Sequence, residues 1–313
     1  MEEMDFKIEK RQTELRDRLS KVLKEIGSIG YFRESLLNLK GRLTEIGYID
    51  CEISIALFLS MELFSIFDPL LFLIIEESVR QKELLCNSLK EKDKIPDGIF
   101  HILYLRDPSP LDIEAYIPNL DTLDHLMILD KERSCIHLLG IRDIYKDKEI
   151  MNFCHIKIDI HAFKSTYRIF PIEENSFEEI VTLKDISVVL CSLGIIRREM
   201  DELVDYLNRK GLWKRQEFSY RLADLYTLYD TSRLLTIKAF WMFKVKDRER
   251  ELMLRCAKAS TLDTLEAMTC WAQRILDGGS ILKFQPIISY IQNNGIPYMN
   301  LKIDIGGRLL NEN

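Results

Sequence analysis

The spacing of apolar residues changes twice along this 313-residue chain. Ile8, Leu15, Val22, Ile29, Leu36 and Leu43 recur every seven residues, which predicts helices over Asp5 to Ile26 and Tyr31 to Ile46 with a hinge at Gly27 to Gly30. The companion positions Gln12, Leu19, Ile26, Arg33 and Lys40 are mixed, so the stripe suits an intramolecular bundle and a self-association surface equally. From about residue 95 short strands are expected at Ile99 to Leu105, Leu126 to Leu129, Cys135 to Ile141, Cys154 to Phe163 and Tyr167 to Ile172. Pro108, Pro110 and the polar run Tyr145 to Glu149 punctuate them. Helical spacing then returns and predicts helices over Leu234 to Lys258, Thr261 to Leu276 and Lys283 to Asn293, before a last strand, Tyr298 to Ile305. The expected fold class is α+β and predominantly helical. It divides into a helical region (1–94), a small β-rich domain (95–173), a compact helical unit (174–225) and a C-terminal helical region (226–313).

Within the third unit, Leu183, Ile186, Val189, Leu190 and Leu193 mark one amphipathic helix, and Ile196, Met200, Leu203 and Leu207 mark a second. Gly194 allows a turn between them, and Gly211 after Arg209 and Lys210 is a stop signal. Phe218, Tyr220 and Leu222 alternate with Ser219 and Arg221 as in a half-exposed strand. With Leu193-Gly194 and Gly211-Leu212 at this interval, residues 174 to 225 resemble a winged helix-turn-helix domain, with an ordinary helical hairpin as the alternative. The resemblance implies a recognition helix beginning at Arg197 and Arg198, backbone phosphates at Arg209 and Lys210, and a wing bearing Lys214 and Arg215. It implies DNA as partner, or a protein docked through Asp201, Glu202 and Asp205.

Charge sharpens that expectation. The net charge is −6, which excludes broad polyanion binding by the whole surface, yet Arg209 to Arg250 holds eleven Lys and Arg against five Asp and Glu. Aromatics are interleaved there, including Trp213, Tyr220, Tyr226 and Trp241. Seven cysteines without a CxxC pair fit reduced thiols, and an acidic start without a signal-peptide pattern points to the cytoplasm. The apolar run Ile53 to Ile75 contains Glu62, Asp68 and Pro69, so two buried helices are expected rather than a membrane span.

All five histidines fall in the strand-rich region. His155, Lys157, Asp159 and His161 would share one face of a strand, and His155, Asp159 and His161 could gather a metal for hydrolytic or nuclease chemistry, with Asp124-His125 beside them. The simpler reading is a solvated polar face with Ile156, Ile158 and Ile160 packed inward. No phosphate loop, nucleophile elbow or zinc-protease motif occurs, so neither a cofactor nor a metal is expected. The residues alone favour a non-enzymatic DNA-associated or regulatory protein, with a docking subunit of a multiprotein complex as the alternative and a hydrolase third.

Overall fold

The computed structural model describes residues 10–26, 33–45, 73–74, 77–78, 95–105, 112–118, 120–130, 133–141, 144–150, 153–159, 168–172, 174–275, 302–303 and 305–307. Two N-terminal helices, α1 (Lys10–Ile26) and α2 (Arg33–Glu45), are tied by an Arg42–Glu25 ion pair at 2.6 Å. Leu19, Val22, Leu39 and Leu43 are buried in the same apolar cluster as strand and C-terminal helix residues. The described part of the heptad stripe is therefore covered from within the chain, so it is not a free self-association surface. The expected helices around Asp68-Pro69 lie outside the described residues, as does Lys283 to Asn293. Lys302 to Ile303 and Ile305 to Gly307 are helical, where a strand was expected, and Ile303 is exposed. Among the described residues no helix is long and apolar enough to cross a membrane.

Among the described residues seven strands follow: β1 (Phe100–Leu105), β2 (Asp112–Pro118), β3 (His125–Asp130), β4 (Cys135–Gly140), β5 (Tyr145–Ile150), β6 (Phe153–Asp159) and β7 (Arg168–Pro171). One sheet has the order β1-β3-β4-β7, with β1 parallel to β3 and the other pairs antiparallel; the second is antiparallel in the order β2-β6-β5. Strands β2 and β5 were not expected. In β5 a run of charged residues, Lys146 to Glu149, follows exposed Tyr145, and a strand without an apolar face gives no period-two signal.

The first sheet is buried on both faces, which explains its near-continuous apolar strands. Ile99, Leu103, Leu126, Ile128 and Leu139 pack with Ile117, Ile156 and Ile158 of the second sheet. Phe100, Ile102, Met127, Leu129 and Leu138 pack with Phe177, Ile180 and Val181. Those three residues open α3 (Glu174–Arg209), which is followed by α4 (Gln216–Lys244) and α5 (Arg250–Ile275).

Helix α3 corrects the winged-helix expectation. It runs unbroken for 36 residues through Gly194. Ile186, Val189, Leu193, Ile196, Met200, Leu203 and Leu207 alternate steps of three and four and are all buried, so one stripe crosses the supposed turn. Glycine costs about 1 kcal/mol inside a helix, whereas each large apolar side chain buried contributes roughly 1.5–3 kcal/mol, so the stripe prevails. The expected strand at Phe218 to Leu222 is helical for the same reason. Leu225, Tyr229, Ser232, Thr236 and Phe240 continue a buried stripe along α4, and five alternating residues were too few to separate a strand from a helix. The break between α4 and α5 falls at Val245 to Glu249, where Lys246 has φ +54, rather than between Lys258 and Thr261. Helices α4 and α5 are bonded across their interface by Ser232, whose Oγ lies 2.8 Å from Ser260 Oγ and 2.9 Å from Thr264 Oγ1.

Candidate functional site

Among the described strands β1 lies at the edge of its sheet, and side chains from the helical segment before it bond to that edge. Phe100 N–H donates to Ser78 Oγ at 2.8 Å and Ile102 N–H donates to Glu77 Oε2 at 3.0 Å, so two backbone donors of an edge strand are satisfied without a further strand. Glu77 also receives Lys184 Nζ from α3, and its Oε2 lies 2.7 Å from His101 Nδ1. All three ionisable side chains have no solvent exposure. Burial by itself raises the Glu77 pKa, but the charges of His101 and Lys184 and their hydrogen bonds outweigh it and hold the carboxyl below its usual range. Burial lowers His101 and Lys184, against the pull of Glu77. A second buried pair, Lys258–Asp185, fastens α5 to α3 one residue further along. These charges compensate one another and make the junction of N-terminal segment, sheet and helical layer a closed joint.

At the other end of α3 the chain turns tightly. Lys210 N–H donates to Tyr206 O and Gly211 N–H to Asn208 O; Gly211 then adopts φ +66, and a short 3-10 turn, Leu212–Lys214, leads to Arg215 at the start of α4. Gly211 and the cations before it do end a helix, as expected from the sequence. Arg209, Lys210, Lys214 and Arg215 are all exposed within seven residues around this glycine, beside Trp213, which is 52% exposed. Arg209 Nε donates to Asp205 O at 3.3 Å, Lys214 Nζ lies 5.7 Å from the Trp213 ring, and Arg215 reaches Glu217 at 3.9 Å. These loose, solvated contacts leave the charged heads open to an anion.

Arg197 and Arg198 do not join this group. They sit in the middle of α3, where Arg197 Nε pairs with Asp201 at 3.2 Å and Nη1 reaches Tyr226 Oη at 3.4 Å, and Arg198 pairs with Glu202 at 3.7 Å. Asp201 and Glu202, one turn on, are thus paired with these arginines. No recognition helix begins at Arg197 and no wing carries Lys214 and Arg215.

Of the His155–Asp159–His161 set weighed as a metal site, the described residues include only the His155 side chain. On β6, Ile156 and Ile158 are fully buried and Lys157 is exposed, the alternation foreseen for a solvated polar face; His155 Nδ1 pairs with Asp147 on β5 at 3.1 Å. His161 and the Asp159 side chain lie outside the described residues. A different group forms on the first sheet, where the β3–β4 register sets Asp130 opposite Cys135 and His137 lies two residues on, on the same face. His137 Nε2 is 3.0 Å from Asp130 Oδ2 and 3.4 Å from Cys135 Sγ, and all three residues are buried. Burial and the Asp130 charge push the Cys135 thiol up to about 11. Only the closeness of Cys135 and His137 was visible in the sequence; Asp130 joins them through strand pairing.

No known family matches the chain, and no curated protein does so. Solved structures do. An FAD-dependent dehydrogenase is 14% identical with a TM-score of 0.73, covering 98% of this chain and 99% of that one. Butyryl-CoA dehydrogenase from Megasphaera elsdenii is 16% identical with a TM-score of 0.72, covering 98% of this chain and 100% of that one. A chain of the ChsE4-ChsE5 complex from Mycobacterium tuberculosis is 13% identical with a TM-score of 0.68, covering 98% and 99%. At such identities the likeness establishes the fold. This chain has the architecture of those dehydrogenases along nearly its whole length, which overturns the winged-helix assignment and, with it, the expectation of a DNA-binding regulator.

Proposed function

We propose that this chain is a flavin-dependent oxidoreductase acting on an acyl thioester. The observation that carries the reading is the whole-length correspondence of its helices, two sheets and helices with an FAD-dependent dehydrogenase and with butyryl-CoA dehydrogenase. The cationic turn supports it. FAD and coenzyme A each carry a diphosphate, and Arg209, Lys210, Lys214 and Arg215 gathered at Gly211 are a donor set of the right chemistry for one. The N-terminal end of α4 adds the positive end of a helix dipole beside them. The buried charges at Glu77 and Asp185 are matched within the protein, so their task is to hold α3 against the sheet and α5 against α3. When bound, a flavin supplies a two-electron acceptor for oxidation of an acyl chain; the part assigned to this chain's residues is to neutralise and orient the diphosphate.

The test is direct titration with FAD, read by flavin fluorescence and thermal stability. Uptake of one FAD per chain is expected, with affinity falling as salt rises and falling by more than about tenfold when Arg209 and Lys210, or Lys214 and Arg215, are both changed to Glu. A wild-type chain that neither co-purifies with flavin nor is stabilised by added FAD would sink the reading.

A second reading, membership of a protein assembly, is favoured by α4. Tyr220, Leu228 and Leu234, within about 120° of one another around the helix, are 63%, 42% and 51% exposed. Between them Thr227 and Thr231 bond their hydroxyls back to Ala223 O and Thr227 O, so neither hydroxyl needs water. Light scattering on Tyr220→Lys/Leu234→Lys tests it: an unchanged mass for variant and wild type at high concentration counts against this surface.

A further inference from the structure

We propose that Asp130, Cys135 and His137 form a binding site for one thiophilic divalent cation of the zinc class, independent of the flavin reading above. The three ligands come from one hairpin. Asp130 ends β3, Cys135 begins β4 directly opposite it, and His137 follows on the same face. Ser134, at φ +46, makes the left-handed step that returns the chain to this register, and its carbonyl is held by Ile172 N–H at 2.9 Å. The Asp130 carboxylate is steadied by Arg133, whose backbone N–H donates to Oδ1 at 3.1 Å. Arg133 Nε is 3.8 Å from Oδ2, and its side chain is 58% exposed, free to swing away from an incoming cation.

The hydrogen-bond contacts of this group converge on a single atom. Both the carboxylate and the sulfur approach the same ring nitrogen, His137 Nε2. If Nε2 carries the proton, it satisfies Asp130 and cannot accept from the thiol. If it is bare, it accepts from Cys135 S–H while its lone pair faces a carboxylate oxygen at 3.0 Å. A single cation among the three atoms, all within 4.8 Å of one another, satisfies them together. Zinc bonds of about 2.0–2.3 Å place tetrahedral ligands roughly 3.2–3.8 Å apart, so the His137–Asp130 and His137–Cys135 separations of 3.0 Å and 3.4 Å are within a few tenths of an ångström of that range. On binding, the Cys135 S–H bond breaks, its proton passes to water and the sulfur forms a dative bond to the metal. Carboxylate, thiolate, neutral imidazole and a divalent ion then sum to zero charge, which suits a buried site. Sulfur and imidazole select zinc over magnesium or calcium.

Cobalt(II) is the probe. The full chain, stripped with chelator and kept reduced, is expected to take up one cobalt per chain with a sulfur-to-cobalt charge-transfer band, and added zinc should abolish the band by displacement. Cys135→Ser should remove the band, and Asp130→Asn should weaken uptake by more than about tenfold. Circular dichroism of the metal-free variants checks that they are folded. Wild type that binds no cobalt at a few equivalents overturns the proposal without recourse to any variant. So does an unchanged band in Cys135→Ser, which would place the thiolate elsewhere, for instance at exposed Cys270.

Discussion

Replacing Lys184 by methionine removes the ammonium that α3 sends to Glu77 while keeping a side chain of similar length. Glu77 would retain the Ile102 N–H at 3.0 Å and His101 at 2.7 Å, yet remain fully buried without a permanent counter-charge. Breaking a buried pair in this way costs about 3–5 kcal/mol, against surface pairs of about 0–1 kcal/mol. Glu77→Gln strands the lysine instead and should cost a similar amount. The double variant Glu77→Leu/Lys184→Met removes both partners of the ion pair; its main loss is the shared acceptor of Ile102 N–H and His101 Nδ1, about 1–3 kcal/mol for each group left unpaired. The double change should therefore cost much less than the sum of the singles. Urea unfolding followed by circular dichroism, with midpoints compared at constant slope, measures all three. Single variants that each lose under about 1 kcal/mol and add in the double would refute the claim that this joint holds the layers together.

The same joint has a pH signature with a defined sign. Glu77 is depressed in the folded state, so its contribution is complete above its ordinary carboxylate pKa and is lost as pH falls through the lowered folded value. His101 is also depressed, because burial disfavours the imidazolium; the unfolded chain takes up this proton as pH falls below about 6.5, before the folded one does. Both effects make stability rise with pH. In Lys184→Met the carboxyl loses one of the charges that depress it, so the acid-side loss should begin at higher pH than in wild type.

Two further outcomes follow from the packing. Gly98→Ala would set a Cβ 2.8 Å from Asp124 Oδ2, the atom that accepts Ile99 N–H at 3.0 Å, so a loss of about 1–3 kcal/mol is expected in urea unfolding; a neutral effect would mean that this contact yields freely. Lys258→Met strands Asp185 between α3 and α5 and should lower stability by about 3–5 kcal/mol, whereas Lys302→Met, losing only a half-exposed pair with Asp263, should change it by less than about 1 kcal/mol; equal effects would contradict the burial argument.

How far the residues alone lead differs from element to element. The strands β1, β3, β4, β6 and β7 were foreseen because each carries buried apolar positions close together in sequence. Strand β5 escaped because Lys146, Asp147, Lys148 and Glu149 offer no apolar side to read, and its pairing depends on β6. The stop at Gly211 was visible as glycine after two cations, but the meaning of those cations was not. Exposed lysines and arginines announce an anion without naming it.

Local sequence, then, determined the period of each segment, the stop at Gly211, the exposed cations beside it and the apolar faces that had to be covered. Tertiary structure decided which faces met, and thereby that α3 runs straight through Gly194: a local glycine penalty is small beside a buried stripe extending from Ile186 to Leu207. It also decided the polar clusters. Lys184 lies 107 residues from Glu77, and Asp130 reaches Cys135 and His137 only through strand register. Periodicity is carried by neighbours along the chain, whereas a site made of charges, thiols and imidazoles exists only after distant backbone has been brought within a few ångströms.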